Sequence, residues 1–247
     1  MDKERTTLLD RLGPKGIIDC LEPTIKENRA NRFKNALKSR ITNIHVVVEK
    51  LYDPLNGNAV IRSAEAFGIH NVHFIVPSED YDLSRKVTIG AERWIETHHH
   101  HSVNSAIDWL KSGNITSWGA LPPEQHENKD DIVSGRIPSL DLYAAEVDFP
   151  LAIWIGNEKY GLTDEAVAAM DKAFYIPLYG LSRSLNLSVS TAIALQNLTM
   201  RYKSEFPDRE DISYDEQVYL YARWLLLDTE NPEALIRNIL ARQGKFI

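Results

Sequence analysis

The chain has 247 residues, of which 43% are hydrophobic and 26% are charged, as in an ordinary globular protein, and its formal net charge is −7. A single cysteine, Cys20, excludes an internal disulfide, and no Cys/His spacing indicates a zinc site. No apolar run approaches the roughly 18 residues that span a bilayer, and the charged start is unlike a secretory signal. We therefore expect a cytoplasmic protein that does not contact membranes.

The first 40 residues are predicted to be helical and basic. They hold ten Lys and Arg against six Asp and Glu, although the whole chain is acidic. Several cations fall in the segment 26–40, among them Arg29, Arg32, Lys34 and Lys38. Affinity for a polyanion follows the local potential rather than the net charge, so this segment is a candidate for contacting phosphates. The alternative is a solvated helix face.

Residues 41–200 alternate short apolar runs with amphipathic segments, which predicts an α/β fold with a parallel sheet and helices on both faces. The predicted strands are Ile44–Glu49, Val72–Val76, Ile115–Ala120, Leu151–Ile155 and Ala173–Ile176. The predicted helices are Asn58–Phe67, Ser102–Lys111, Thr163–Asp171 and Ser188–Tyr202. Residues 122–138 are predicted to form a loop. Residues 203–247 are predicted to be helical, with a helix start at Asn231-Pro232.

The first candidate site follows the first strand, in the segment 53–68 (DPLNGNAVIRSAEAFG). Asn56 lies in the loop after the strand, and Arg62 lies in the next helix. The rest of that helix is almost apolar, so the guanidinium needs a partner, either an acid such as Glu158 or a bound phosphate. The alternative is that Asn56 or Asn58 caps the helix and that Arg62 is a surface residue.

The second candidate site is the turn that follows Leu151–Ile155. Gly156 ends this strand, Asn157 and Glu158 come next, and Gly161 breaks the chain again. Ligand sites in open α/β sheets lie outside the carboxyl ends of the strands, so Asn157 and Glu158 are well placed for chemistry. A turn with solvated polar residues is the alternative.

The third candidate site is the segment 176–196 (IPLYGLSRSLNLSVSTAIALQ). A strand end runs into a loop with Gly180, the polar residues Ser184 and Asn186 follow, and a helix of small residues begins. Small side chains let a neighbouring backbone come close. Such a loop can present bare amides and carbonyls to a flat ligand such as adenine, while Ser184 and Asn186 reach toward a reacting group.

Four consecutive histidines, His98–His101, suggest a metal site at first sight. Successive side chains on a strand alternate between its faces, so at most two of the four share one side. No cysteine or acid pair stands nearby at ligand spacing, and we therefore predict a strand of mixed exposure and no metal. Tyr219, Tyr221 and Trp224 on a C-terminal helix are predicted to pack rather than to stack on bases.

The three candidate sites resemble the motifs of the SpoU class of knotted SPOUT RNA methyltransferases, in order and at that family's spacing over residues 29–202. An Asn followed six residues later by Arg matches Asn56 and Arg62. The G-x-E-x-x-G motif matches Gly156–Gly161, and IP-x-x-G followed by SLN-x-S matches Ile176–Gly180 and Ser184–Ser188. Within this class the chain is similar to the TrmH type, tRNA guanosine 2′-O-methyltransferases that act on the D loop.

The resemblance implies a fold and a domain organisation. It implies a C-terminal deep trefoil knot over about residues 151–202, within a methyltransferase domain of residues 41–202. Residues 1–40 and 203–247 would be helical extensions of that domain. The resemblance also implies a homodimer with tRNA as its substrate.

The resemblance further implies a reaction, in which S-adenosylmethionine donates a methyl group to the ribose 2′-hydroxyl of guanosine 18 in tRNA. The cofactor would rest on the backbone of Ala120, Leu121, Gly156, Ile176, Leu178 and Leu185. Arg62 would orient a phosphate and the hydroxyl and stabilise the developing alkoxide, because a guanidinium rarely gives up a proton. The polar network around it would comprise Asn56, Glu158, Ser184 and Asn186. RNA would bind to Arg29, Arg32, Lys34 and Lys38.

Two other functions are compatible with the same fold: an rRNA ribose methyltransferase of this family, and a non-catalytic RNA-binding protein. The intact polar network argues against a protein that only binds. A nucleotide-binding oxidoreductase or kinase is excluded, because neither G-x-G-x-x-G nor a phosphate-loop lysine motif follows the first strand.

Overall fold

The computed structural model describes residues 1–50, 53–76, 91–122, 137, 139–157, 159–182 and 184–244. The chain divides into two compact units, one of residues 1–40 with 210–247 and one of residues 41–209. Each unit has its own set of buried apolar side chains. Every helix among the described residues is too short or too polar to span a bilayer.

The helices and strands follow one another along the chain in this order. The elements are α1 (Lys3–Leu21), α2 (Glu27–Ser39), β1 (Ile41–Glu49), α3 (Pro54–Ala66), β2 (Ile69–Ile75), β3 (Glu96–His100), α4 (Val103–Ser112), β4 (Thr116–Ala120), β5 (Ser139–Asp141), β6 (Leu151–Ile155), α5 (Asp164–Ala168), β7 (Lys172–Tyr175), α6 (Leu187–Glu205), α7 (Tyr214–Asp228) and α8 (Pro232–Arg242).

The first unit consists of α1, α2, α7 and α8, which pack around aromatic side chains. The Phe33 ring makes edge contacts with the rings of Trp224 and Tyr221, at centroid distances of 5.6 and 6.5 Å. Trp224 and Tyr221 are buried, which confirms the prediction that they pack, whereas Tyr219 is 44% exposed. The Asn231 side chain accepts a hydrogen bond from the Ala234 amide, which confirms the predicted start of α8.

The second unit contains a seven-stranded sheet in the order β3-β2-β1-β6-β4-β7-β5. The pairings between these strands are parallel, as predicted from the alternation of strands and helices. Val46 of β1 lies opposite Val72 of β2 and Ile153 of β6, and all three belong to the apolar core on one face of the sheet. β5 was not predicted, because its three residues show no apolar run.

Helices cover both faces of this sheet, as predicted. Val60 and Ile61 of α3 and Leu195 of α6 belong to the core on one face. Leu110 of α4 and Ala166 of α5 belong to the core on the other face. α6 follows β7, the last strand of the chain, but packs on α3, which connects β1 to β2. The chain therefore crosses back along the sheet after β7.

Buried histidines replace part of the apolar core beneath α4. His73 Nε2 lies 3.0 Å from His45 Nδ1, and His73 Nδ1 lies 3.0 Å from His100 Nε2. The His98 ring stacks on the His73 ring at 4.5 Å, and Trp109 covers the group. The predicted strand of mixed exposure is therefore confirmed as β3. The described residues contain no group of three or more His, Cys, Asp or Glu side chains that could hold a metal ion.

These buried histidines make stability depend on pH. Burial, helped by the nearby His98, lowers the pKa of His45 from 6.5 to about 4, and burial also lowers the pKa of His73. The unfolded chain then binds protons more readily than the folded chain below pH 6.5, so stability present above pH 6.5 is lost as the pH falls toward 4.

We expect His45 alone to lower the free energy of unfolding by about 2 kcal/mol between pH 7.5 and pH 5. Denaturant unfolding at the two pH values measures this loss. His45→Leu should reduce this loss, and His101→Ala, a substitution of an exposed histidine, should change it much less. An equal pH dependence in the wild-type protein and the His45→Leu variant would contradict this account.

Candidate active site

The predicted site residues lie at the carboxyl ends of neighbouring strands. Asn56 follows β1, Gly156 follows β6, Leu121 follows β4 and Ile176 follows β7, and these four strands are adjacent in the sheet. The Leu121 amide donates to the Phe174 carbonyl at 2.9 Å, which joins the ends of β4 and β7. This edge of a parallel α/β sheet is where such folds bind ligands.

The helix that carries Asn56 and Arg62 begins earlier than predicted. Asp53 is its N-cap and accepts a hydrogen bond from the Leu55 amide at 2.9 Å. Pro54 occupies the first helical position, where its missing amide hydrogen is not needed. The prediction of a helix start at Asn58 is therefore wrong, as is the alternative that Asn56 or Asn58 is the cap. Asn56 lies in the first turn of α3.

Asn186 joins the first and third candidate sites. It is the N-cap of α6, and its Oδ1 atom accepts hydrogen bonds from the Ser188 amide at 2.9 Å and the Ser188 hydroxyl at 2.6 Å. Its Nδ2 atom donates to Asn56 Oδ1 at 3.2 Å. Both carbonyl lone pairs of the Asn186 side chain are thus used to begin the helix, while its amide reaches the first turn of α3.

Arg62 lies on the solvent side of α3. Its neighbours Val60, Ile61 and Ala64 are fully buried, whereas Arg62 itself is exposed. The expectation of a partner was based on apolar surroundings, but the apolar residues face the core and the guanidinium faces water, so Arg62 is a surface residue. A partner in Glu158 or a bound phosphate stays a prediction. Within the described part of the chain, Arg62 makes no hydrogen bond or ion pair. Its five donors are available to a ligand, and Ser184 is exposed as well.

The turn from Gly156 to Thr163 is closed by two backbone hydrogen bonds. The Asn157 amide donates to the Gly161 carbonyl at 3.0 Å, and the Gly161 amide donates back at 2.8 Å. Gly161 has a φ of +71°, and a Cβ on Gly156 would lie 2.1 Å from the Gly161 carbonyl carbon. Both glycines of the G-x-E-x-x-G motif are therefore required by the turn itself. Glu158 lies outside the described residues.

The side chain of Asn157 is used inside this turn. Its Nδ2 atom donates to the Lys50 carbonyl at 2.7 Å, and its Oδ1 atom accepts from the amides of Lys159 and Tyr160 at 2.9 and 3.2 Å. The expectation that Asn157 is placed for chemistry is thus replaced by a structural role. Glu49 was not among the predicted site residues, although this buried acid directly follows three valines and accepts hydrogen bonds from Thr163. A charge at the end of an apolar strand was the available signal.

The loop between β7 and α6 is open and apolar. Leu178 is 38% exposed, and the side chains of Tyr179 and Leu181 are almost fully exposed, whereas Ile176 and Leu185 are half-buried. Among the described residues, the backbone of 178–182 and 184–185 takes part in no hydrogen bond. This loop therefore offers free amide and carbonyl groups beside apolar side chains, which is the chemistry that a flat heterocycle requires.

The four predicted RNA-binding cations of α2 differ in their surroundings. Arg29 pairs with Asp228 at 2.6 Å, and Lys34 pairs with Glu22. Arg32 and Lys38 are exposed, on the face of α2 that also presents exposed asparagines. We call this face the α2 polar stripe, and it comprises Asn28, Asn31, Arg32, Asn35 and Lys38.

The chain belongs to the SpoU rRNA Methylase family, whose model matches residues 43–196. It is 29% identical over 192 residues to a tRNA (guanosine(18)-2′-O)-methyltransferase of Borreliella burgdorferi, which covers 77% of this chain and 82% of that protein. The crystal structure of the A. aeolicus TrmH/SpoU tRNA modifying enzyme matches with a TM-score of 0.69 at 21% identity, over 83% of this chain and 98% of that one. The SpoU methyltransferase AviRb from Streptomyces viridochromogenes, in complex with AdoMet, matches with a TM-score of 0.55 at 22% identity, over 68% and 61% of the two chains.

Proposed function

We propose that this protein methylates the ribose 2′-hydroxyl of guanosine 18 in the D loop of tRNA, using S-adenosylmethionine. The observation that carries the proposal is the hydrogen bond between Asn186 and Asn56, which brings two family motifs together at one edge of the sheet. The family match over residues 43–196 and the tRNA activity named for the Borreliella burgdorferi relative support it. An rRNA substrate remains the alternative, because the family model itself is described by rRNA methylation.

The loop between β7 and α6 fits S-adenosylmethionine. Its free backbone groups can bind the edge of an adenine ring, and Ile176, Leu178 and Leu185 can cover the faces of the ring. Ala120 and Leu121 at the end of β4 and Gly156 at the end of β6 complete the proposed cofactor surface. When bound, the cofactor supplies a methyl group that is already activated for transfer.

The residues of this chain must then orient the ribose and stabilise charge on its oxygen. The exposed Arg62 guanidinium can bind an RNA phosphate and the developing alkoxide at the same time, because its donors form a planar fork. Ser184 and Asn56 can hydrogen-bond the ribose, and Asn186 keeps Asn56 in position. We assign Glu158 to the same polar network from its place in the family motif.

We further propose the finer features of the family for this chain. β6 lies between β1 and β4 although β4 precedes it in the chain, and α6 packs on α3. Both features support a trefoil knot over about residues 151–202. This knot would lie within a methyltransferase domain of residues 41–202 that has helical extensions at both ends. We also propose a cytoplasmic homodimer, and exposed apolar side chains at Tyr179, Leu181 and Met200 support the dimer. Light scattering that gave the mass of one chain would contradict the dimer.

RNA binding is assigned to the α2 polar stripe. Arg32 and Lys38 have no acidic partner among the described residues, so both are free to neutralise phosphates, and the asparagines of the same stripe can bind ribose or phosphate oxygens. Arg29 and Lys34 can contribute only if their pairs with Asp228 and Glu22 open or are shared.

Replacing both Arg32 and Lys38 with alanine should raise the dissociation constant of tRNA by on the order of tenfold, and should lower the slope of log K against log salt by about 1 for each lost contact. Filter binding at several salt concentrations measures both effects. Lys111→Ala, which removes an exposed cation on α4, is the matched control and should change neither. A double variant with an unchanged salt slope would remove the α2 polar stripe from the RNA-binding surface.

The proposed activity is tested with purified protein, unmodified tRNA, 16S and 23S rRNA, and S-adenosylmethionine carrying a labelled methyl group. We expect label in tRNA and none in rRNA. Label in rRNA alone would show that rRNA, and not tRNA, is the substrate. No label in either RNA, from a protein that binds the cofactor, would favour a non-catalytic RNA-binding protein.

A further inference from the structure

Glu49, the last residue of β1, holds a carboxylate in the protein interior. Only 1% of the residue is exposed. Its Oε2 atom accepts a hydrogen bond from the Thr163 amide at 2.9 Å, and its Oε1 atom accepts from the Thr163 hydroxyl at 2.6 Å. A buried carboxylate is costly unless its oxygens are bonded, so this pair of bonds explains how the charge is accommodated.

The next residue, Lys50, bonds the other end of the same turn. Its carbonyl accepts from Asn157 Nδ2 at 2.7 Å, and its φ of 48° is uncommon for a residue with a side chain. The turn begins at Gly156 and ends at Thr163. Lys50 is hydrogen-bonded to it near its start, at Asn157, and Glu49 is hydrogen-bonded to its end, at Thr163. Between these points the turn is closed on itself by the Asn157–Gly161 pair.

We propose that Glu49 is a positioning residue for the cofactor: its carboxylate fixes Thr163, and thereby the Gly156–Thr163 turn, in the position that S-adenosylmethionine requires. The assignment rests on the proposed function, because Gly156 is a cofactor residue only within it. Two donors on Thr163 meet two acceptors on Glu49, and a carboxylate is the side chain that accepts at both of its oxygens.

Two substitutions remove part of this contact without creating a large cavity. Glu49→Gln replaces one acceptor oxygen by an amide that donates. Thr163→Val keeps the shape but removes the hydroxyl, and with it the capping bond from the Ala166 amide. Each should weaken binding of S-adenosylmethionine about tenfold, the effect of losing one hydrogen bond to a charged group. Thr163→Ser keeps both donors and should bind within about twofold of the wild-type protein.

Calorimetry with S-adenosylmethionine, below the unfolding midpoint of every variant, measures these dissociation constants. Because both substitutions act on one contact, the loss of affinity in the double variant should be smaller than the product of the two single losses. Val72→Ala, a cavity in β2 that does not touch the turn, is the control for lost stability. It should lower the unfolding midpoint at least as much and leave the dissociation constant unchanged.

Amide hydrogen exchange of the protein without cofactor gives a readout that is independent of activity. The Asn157, Gly161 and Thr163 amides should exchange faster in Glu49→Gln than in Val72→Ala. Unchanged cofactor affinity in both Glu49→Gln and Thr163→Val, from a wild-type protein that does bind, would overturn the assignment. A wild-type protein that does not bind S-adenosylmethionine would refute the proposed function and the positioning role with it, whereas the exchange data would still report whether Glu49 holds the turn.

Discussion

Replacing Arg62 with alanine should lower the turnover of tRNA methylation by about a hundredfold to a thousandfold, the usual effect of removing one donor to a developing oxyanion. Arg62 is exposed and makes no hydrogen bond or ion pair among the described residues, so its loss should not affect folding. The proposed cofactor residues lie on other segments of the chain, and the dissociation constant of S-adenosylmethionine should therefore stay within about twofold. Single-turnover kinetics and calorimetry measure the two quantities.

Arg62→Lys is the informative companion variant. Lysine keeps the positive charge but loses the planar fork that can bind phosphate and alkoxide together, so this variant should bind tRNA like the wild-type protein but restore little of the turnover. Normal turnover in Arg62→Ala would remove this residue from the catalytic set. A parallel loss of cofactor affinity would show that Arg62 acts on the pocket and not on the ribose.

Replacing Gly156 with alanine should lower the free energy of unfolding by more than about 3 kcal/mol and abolish binding of S-adenosylmethionine. The new Cβ would lie 2.1 Å from the Gly161 carbonyl carbon and 2.2 Å from the Leu162 nitrogen. Both are backbone atoms inside a closed turn, so neither can rotate away. Denaturant unfolding and calorimetry measure the two losses.

Gly180→Ala is the matched control, because a Cβ at Gly180 would meet no atom within 4 Å and the backbone there does not have a positive φ. We expect its free energy of unfolding to match that of the wild-type protein. A Gly156→Ala protein as stable as Gly180→Ala would contradict this prediction. It would show that the turn can open without loss of unfolding free energy, so that the close approach of Gly156 and Gly161 does not contribute to stability.

The elements of the sheet could be predicted where burial or capping leaves a local pattern. β6 is buried on both faces and is therefore a continuous apolar run, and Ser102 and Thr163 cap their helices as their types suggest. β5 has no such pattern, because it is a strand only through pairing with β7. The start of α3 was missed because its cap and proline, Asp53-Pro54, precede most of the apolar residues of the helix.

The order of the strands could not be predicted in the same way, because it depends on contacts between distant segments. Nothing local indicates that β6 lies between β1 and β4. Asn56 and Asn186 are 130 positions apart, and their hydrogen bond exists because α6 packs on α3. The resemblance to the family identified both residues as site residues, but only the structure shows that they are hydrogen-bonded to each other.

The sequence also did not reveal which polar residues hold the turn and which ones face solvent. Asn157 and Glu49 are both polar residues at strand ends, and both turned out to hold the Gly156–Thr163 turn. Arg62 was expected among apolar neighbours, but the helix turns it to solvent because those neighbours occupy the opposite face. The chemical roles of Arg62, Ser184, Asn186 and Glu158 stay predictions.

The atom that receives the methyl group in the proposed reaction is the 2′-oxygen of guanosine 18, and nucleoside mapping tests this most directly. A tRNA transcript is incubated with the protein and S-adenosylmethionine, digested with nucleases and analysed by mass spectrometry. We predict one added methyl group, on the ribose of guanosine 18, and none on a transcript with a 2′-deoxy residue at that position. A methyl group on a base, or on a ribose outside the D loop, would contradict the account.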